Sequence, residues 1–416
     1  MRRIDTLVIG GGQAGLAMSR CLSDRNVDHV VVERGRVAER WRSERWDSLR
    51  LLTPNWQTRL PAMRYDGREP DGYMSMPELV GFFERYATTI AAPVESDTAV
   101  FAVEASGPRF DVHTSRGLWT ADNVVIATGY SDVPHVPAMA RRLSRRVAQV
   151  VPTMYRNPGG LRTGGVLVVG ASATGIQFAD EISASGRPVT LAVGRHLRLP
   201  RRYRGRDIMW WLDAMGSFDE TIDDVFDARV SRSQPSLQLI GRTDASSLDL
   251  QSLTERGVRA VGRVVDVDGE RMQCADDLIA TTSASDLKLA ELLQRIDRFI
   301  HKTGTTATPA EPFQPTWMLA RDDATRTIDL RAEGIDTVIW ATGFARRYPW
   351  LKVPVLDEHG EIRHRYGVTP VQGLFVLGMH FQRRRKSAFI DGVGDDAAFL
   401  ADRIARRLPL DAAAVS

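Results

Sequence analysis

The chain has 416 residues, enough for two or three domains that each bury a core of their own. Hydrophobic residues make up 43% and charged ones 26%, the balance of a globular protein rather than a disordered or fibrous one. A net charge of +3 is too small to argue for nucleic-acid binding, and two cysteines without a CxxC pair exclude a dithiol relay and suit a reducing compartment. No apolar run reaches the ~18 residues of a membrane span, and Met1-Arg2-Arg3 leads into a glycine-rich motif rather than a signal-peptide core. A cytoplasmic protein is expected.

In chain order, Asp5-Thr-Leu-Val-Ile-Gly10 has strand length and ends on glycine. Residues 13–24 carry helical spacing through Leu16, Met18 and Leu22, and His29-Val-Val-Val-Glu33 completes a βαβ unit. Trp41 to Pro61 reads as irregular, and 77–90 as a helix opened by Pro77. Strands are expected over 98–104 and 109–114 and at Asn123-Val-Val-Ile-Ala-Thr-Gly129. Pro134, Pro137, Pro152 and Pro158 mark 131–158 as a crossing between domains. A second βαβ unit runs from Gly165 to Gly194, followed by a helix over 207–216 and a hairpin over 258–274 turning at Asp268-Gly269. Thr337-Val-Ile-Trp-Ala-Thr-Gly343 repeats the earlier Val-Val-Ile-Ala-Thr-Gly text. A strand, Leu374 to Gly378, and a helix from Asp395 to Arg407 close the chain.

The two βαβ units carry unlike fingerprints. In the first, Gly10 permits a tight turn, Gly12 lets backbone approach a pyrophosphate, and Gly15 allows close helix–strand packing. Gln13 and Ala14 then begin a helix whose free N–H groups favour an anion. Glu33 stands roughly 20 residues on, where an acid accepts from ribose hydroxyls and repels a 2′-phosphate. FAD or NAD suits this site. The second reads Gly170, Ala171, Ser172, Ala173, Thr174, Gly175, and its closing strand ends on Arg195 instead of an acid. A guanidinium pairs well with a 2′-phosphate, so NADPH suits that site. Arg198, Arg201, Arg202 and Arg204 beyond it read either as more of the anion site or as a solvated face. A flavin at one site and a hydride donor at the other make an electron path from NADPH to FAD.

The order GxGxxG, Glu33, Ala127-Thr128-Gly129, GxSxxG, Ala341-Thr342-Gly343 resembles the class B flavin-containing monooxygenases along nearly the whole chain. Trp46-Asp-Ser-Leu-Arg-Leu-Leu-Thr-Pro-Asn55 is similar to the flavin-proximal stretch of bacterial and auxin-type members, and Gly373 to Gly378 with Ser387 to Ala397 to their terminal flavin contacts. The resemblance implies an α/β fold of two Rossmann-like dinucleotide-binding domains. Residues 1–155 and 331–416 would bind FAD, and 156–330, inserted between them, NADPH. It adds Arg34, Trp41, Thr53, Val100, Gly378, Ile390 and Val393 to the cofactor contacts. It implies hydride transfer to flavin N5, O2 addition at C4a, and transfer of one oxygen atom from the peroxyflavin to a small organic substrate at N, S or a ketone.

The family fingerprint FxGxxxHxxxY is broken here: Tyr155 and Arg156 match, but Val151 stands at the histidine and the leading FxG is absent. Leu52 aligns with an asparagine common in the family, and Asn55 nearby is a substitute or a turn residue. Asn55, Tyr155 and Trp210 are the catalytic-site candidates, Trp210 as a cavity wall with Trp211 or simply as core. Arg383-Arg-Arg-Lys386 reads as an anion site at the cofactor mouth or a solvated loop, and His380 as a base or a structural histidine. The rivals to a monooxygenase are an NADPH-dependent flavin reductase or oxidase that releases hydrogen peroxide, and a flavin redox sensor. The expected partners are a small-molecule substrate and O2, with no nucleic acid and no membrane; self-association is left open.

Overall fold

The computed structural model describes residues 1–311, 313, 315 and 326–406. Its helices, in chain order, are α1 (Gln13–Ser23), α2 (Glu39–Ser43), α3 (Met76–Thr89), α4 (Ala173–Ala184), α5 (Ile208–Ala214), α6 (Ala228–Arg232), α7 (Leu250–Glu255), α8 (Leu278–Thr303) and α9 (Val393–Arg406).

The valine-rich runs at the chain start form the centre of one sheet. Arg2–Ile9 pairs in parallel with His29–Val32 on one side and Gly117–Ile126 on the other. Val94–Glu95 extends it beyond His29–Val32, and Leu374–Val376 pairs in parallel with Gly117–Ile126. Val100–Ser106, Arg109–Thr114 and Gly117–Ile126 make an antiparallel meander at the far edge. Leu7, Val8, Val31, Val124 and Val125 are wholly buried, as expected of strands covered on both faces. The cover on one face is α1 packed against α9 and α3. A Ser75–Glu78 capping box with Pro77 at its start fixes where α3 begins.

The second sheet is all parallel, in the order Ala148–Val150, Ile335–Trp340, Gly165–Val169, Val189–Ala192, Arg259–Val261. Two of these strands lie outside the expected limits 156–330: Ala148–Val150 and Ile335–Trp340 had been assigned to the first domain, and both pair here. Short strands such as Ala-Gln-Val and Ile-Asp-Thr-Val-Ile-Trp suit either sheet, so sequence alone could not say which one they join. The chain crosses between units at Val133–Pro134 and returns at Phe344–Ala345, and these crossings pair antiparallel.

Two other differences have local causes. Arg259–Val261 joins the parallel sheet, so the hairpin is shorter than expected, Val264–Asp268 with Arg271–Cys274 about the Gly269 turn. The 26-residue α8 was not foreseen. It buries only Thr282, Ser285, Asp286, Leu289 and Ile296, too sparse and too polar a stripe to read as periodicity. The end of the C-terminal helix expected at Arg407 lies outside the described residues.

Both units depend on glycines that tolerate no side chain. A Cβ on Gly175 would sit 1.8 Å from the Gly170 carbonyl oxygen. Gly175→Ala is therefore expected to destabilise the protein by about 2 kcal/mol or more, read as a lowered denaturant midpoint; an unchanged midpoint would show that the helix can lift off the strand at no cost.

Candidate functional site

Each βαβ unit presents a cradle at the carboxyl end of its sheet. In the first, Gly10 has φ +115° and its missing Cβ would meet the Ala127 carbonyl oxygen at 2.6 Å. A Cβ on Gly15 would lie 1.8 Å from the Gly10 carbonyl oxygen, whereas one on Gly12 would meet nothing within 4 Å. Gly10 and Gly15 thus close the turn, and Gly12 opens onto free space. It is also the N-cap of α1, which has neither a side-chain cap nor an acid in its first turn. Uncapped N–H groups facing open space fit a diphosphate. Glu33 closes the second strand, half-buried, with Oε2 accepting from the Gly11 amide at 2.7 Å and Oε1 from the Gly35 amide at 2.9 Å. The acid is thereby anchored to the cradle itself.

The second cradle repeats this geometry. Gly170 has φ +108° and its Cβ would meet the Ala341 carbonyl oxygen at 2.4 Å. Ser172 is the N-cap of α4, and its hydroxyl caps nothing. Ala127 and Ala341 thus play one role in two places, each followed by a glycine in the left-handed region with open space above it, Gly129 and Gly343. Thr128 is half-buried between them on its own loop, and Thr342 donates to the His135 carbonyl at the crossing. Ala173 and Thr174 form the first turn of α4.

Arg195 follows Val189–Ala192, exposed, with no hydrogen bond or ion pair to another described residue. It lines a cavity of about 320 Å³ with His196, Ser233, Pro235, Ala284 and Lys288. The arginines after it are spent on the protein. Arg198 pairs with Asp249 and Asp286, each at 3.0 Å. Arg201 is buried on Asp207, Arg202 donates to the Gly205 carbonyl at 3.0 Å, and Arg204 lies 3.6 Å from Asp297.

Segments far apart in sequence meet at the start of α1. Gln13 donates from Nε2 to the Ala388 carbonyl at 3.0 Å, and a Cβ on Gly378 would touch that of Ala14 at 3.0 Å. Ile390 and Val393 are buried beside them at the start of α9. Trp41 stacks on Phe83 with the Arg45 guanidinium over its ring, Arg34 pairs with Glu44 at 2.7 Å, and Thr53 and Val100 are half-buried.

Two of the three catalytic candidates are structural. Asn55 is buried with Oδ1 accepting from the Met74 amide at 2.8 Å and Nδ2 donating to the Glu69 carbonyl at 2.9 Å, so both ends of its amide clasp loop backbone. Tyr155 is buried against Phe178 and donates to Glu181 at 2.9 Å, pinning the crossing to α4; burial and the Glu181 charge push its hydroxyl up. Trp210 is half-buried under the Arg206 guanidinium, in an apolar cluster with Leu52 and Phe389. Arg383-Arg-Arg-Lys386 is no free anion site: Arg383 faces Asp396, Arg384 Asp395, Arg385 Glu220 and Lys386 Asp219. His380 donates from Nδ1 to the Arg232 carbonyl, 3.1 Å away, with its ring 5.8 Å from that of Tyr130.

Sequence reasoning missed what holds the two units together. Arg201, 1% exposed, donates to the Leu52 carbonyl at 2.7 Å and to Asp207 at 2.5 Å. Its guanidinium lies over the Tyr73 ring, and the Tyr73 hydroxyl donates to the same Asp207 at 2.6 Å. On the other side the 383–386 strap hydrogen-bonds along residues 218–222. Tyr130 packs beside the His380 ring, which is held on the Arg232 carbonyl, and near the Arg45 charge. Tyr130 is 39% exposed, and desolvation raises its hydroxyl. Behind it, burial with the Arg232 and Arg346 charges pushes His364 down to about 3.

Two cradles in one chain define an oxidoreductase that uses a flavin and a nicotinamide nucleotide. Residues 7–214 match the family described as pyridine nucleotide-disulphide oxidoreductase. An oxidoreductase of Geobacillus kaustophilus, CzcO-like, is 33% identical over 96% of this chain and 98% of its own. A probable indole-3-pyruvate monooxygenase of Arabidopsis thaliana, YUCCA1, is 29% identical over 48% of this chain and 49% of its own. The solved flavin-containing monooxygenase of Stenotrophomonas maltophilia shares the fold at a TM-score of 0.66, 20% identical, over 98% of this chain and 99% of that one. The chain belongs to the pyridine nucleotide-disulphide oxidoreductase family and, within it, to the class B flavin-containing monooxygenases. Among the described residues no helix is long and apolar enough to cross a membrane.

Two expectations follow from the buried charges. Arg201→Met leaves Asp207 without its cation and should cost about 3 kcal/mol, measured by denaturant titration. Burial pushes the Asp396 carboxyl up to about 6, against the pull of Ser387 and Arg383. The folded protein then holds this proton to higher pH than the unfolded chain, so stability falls as pH rises from about 4 to 6 and stays lowered above. Asp396→Asn should raise stability at pH 8 by up to about 3 kcal/mol and have little effect near pH 4; equal stability at pH 8 would mean that Arg383 and Ser387 fully offset the burial of the carboxylate.

Proposed function

We propose that the protein is an NADPH- and O2-dependent flavoprotein monooxygenase that places one oxygen atom on a nucleophilic N or S centre or a ketone of a small organic molecule. FAD would occupy the first cradle and NADPH the second. The observation that carries this reading is the contrast between Glu33, an acid fixed on the first cradle, and Arg195, an unpaired cation at the matching place beside the second. A 2′-phosphate is repelled by the one and drawn by the other. The names of the Arabidopsis and Stenotrophomonas proteins support the same reaction class.

When bound, the flavin would supply the two-electron and oxygen chemistry. The chain's own residues position and shield. The N-termini of α1 and α4 would hold the two diphosphates, with Gly12 leaving room for the first. Glu33 would accept from the ribose hydroxyls of FAD. Leu52, Trp210 and Phe389 pack on one apolar cluster that would help keep water out, and the Arg201 clamp holds the Leu52 segment against the second unit. Trp210 is the wall residue retained from the sequence candidates. With Asn55 and Tyr155 bonded elsewhere, rate would come from positioning rather than from either as an acid or base.

A disulfide-reducing function has no support in the cysteines. Cys21 and Cys274 are both buried, and burial pushes the Cys21 thiol up to about 11, away from the reactive thiolate.

The test is a balance sheet of purified holoenzyme, NADPH and O2 across a panel of amines, sulfides and ketones. Product formed in step with NADPH consumed is expected for at least one class. Complete conversion of NADPH to hydrogen peroxide across the panel would establish an oxidase instead, and no NADPH-dependent bleaching of the flavin would point to a sensor. Separately, Arg195→Ala should raise KM for NADPH about ten-fold or more and that for NADH little; equal effects would refute the 2′-phosphate assignment.

A further inference from the structure

The cavity beside Arg195 has a second wall that belongs to neither βαβ unit. Ala280, Thr281, Ala284 and Lys288 lie on one face of α8, at steps of three and four residues, and all four line it. Val230, Gln234 and Pro235, on and after α6, form the third side. Lys288 is exposed, and like Arg195 it makes no hydrogen bond or ion pair to another described residue. Asp286, two residues before Lys288, and Asp249 both bind Arg198. Two cations that pair with no other described residue therefore line one cavity of about 320 Å³ from different elements.

Arg198 fixes this arrangement. It ties α8 through Asp286, and α7 through its N-cap Asp249, to the segment that follows the Arg195 strand end. Its backbone amide also donates to the Ser285 hydroxyl at 2.9 Å. The ion pairs are 6–14% exposed, so they hold α8 in register instead of flickering at the surface. Lys288 follows Ser285 and Asp286 on the same helix and is delivered to the cavity by them.

We propose that Lys288 is a specificity-determining residue: with Arg195 it forms a two-sided clamp on a dianionic phosphate monoester, here the 2′-phosphate of the nicotinamide dinucleotide, which α8 closes over. This rests on the assignment of the second cradle to NADPH. A monoester with two negative charges gains from a second cation what a ribose hydroxyl cannot. Arg195 supplies a planar fork and Lys288 a point charge on a flexible stem, so the two are complementary rather than redundant.

The test uses flavin-loaded protein and calorimetric titration with 2′,5′-ADP and with 5′-AMP. Wild type should bind 2′,5′-ADP at least ten-fold more tightly. Lys288→Met should weaken 2′,5′-ADP about ten-fold and leave 5′-AMP unchanged, while Lys288→Arg keeps most of the preference. Unchanged 2′,5′-ADP affinity in Lys288→Met, with affinity lost in Arg195→Met, would overturn the clamp and leave the NADPH assignment standing. Equal binding of the two nucleotides by wild type would overturn both. Equal loss for both nucleotides in Lys288→Met would show a lysine that merely supports the cavity, and would also overturn the clamp.

Discussion

In each half of this protein the last glycine of the fingerprint lies so near the carbonyl oxygen of the first that a Cβ would stand 1.8 Å from it. That approach draws the helix start down onto the strand end and aims its free N–H groups at open space. The alanine carbonyls of the two Ala-Thr-Gly loops, Ala127 and Ala341, complete the constraint by facing Gly10 and Gly170 from the neighbouring strand. A nucleotide cradle therefore needs three strands, and the third comes from far along the chain each time. The rest of the structure is arranged around keeping these strands together.

The two cradles are then held in one relation to each other. Arg201 and Asp207 form a buried ion pair within the second unit, and its members reach across the seam, Arg201 to the Leu52 carbonyl and Asp207 to the Tyr73 hydroxyl; removing either charge is costly because its partner would be left alone in a dry place. The basic strap 383–386, paired with Asp219, Glu220, Asp395 and Asp396, makes a second seam. With both in place, the two units keep one relation to each other and the space between them is fixed. A fixed space suits chemistry in which excluding water matters more than a moving acid or base.

Much of this was legible in the sequence, and the unread parts share a cause. The glycine spacings, Glu33 and Arg195 could be read because they answer to local backbone geometry and to charge at a strand end. The Ala-Thr-Gly repeat signalled two similar loops, but not that Ile335–Trp340 pairs in the second sheet, since a short apolar, β-branched strand fits either one. Asn55 and Tyr155 looked catalytic by residue type; only their bonds to Met74, Glu69 and Glu181 show them to be fasteners. The arginine run after Arg195 was ambiguous for the same reason, because whether an arginine is free depends on acids distant in sequence. The helix bearing Lys288 was silent: its buried stripe is largely Thr, Ser and Asp.

The central claim is that opposite charges at equivalent strand ends sort two nucleotides into two cradles and set the direction of electron flow. Anaerobic single-turnover reduction of the bound flavin, followed by its loss of absorbance while NADPH or NADH is varied, measures this directly. The account predicts similar limiting rates with half-saturation at least about ten-fold lower for NADPH, because the 2′-phosphate contributes to binding and not to the transferred hydride. Equal half-saturation for the two nucleotides, or reduction by neither, would contradict it.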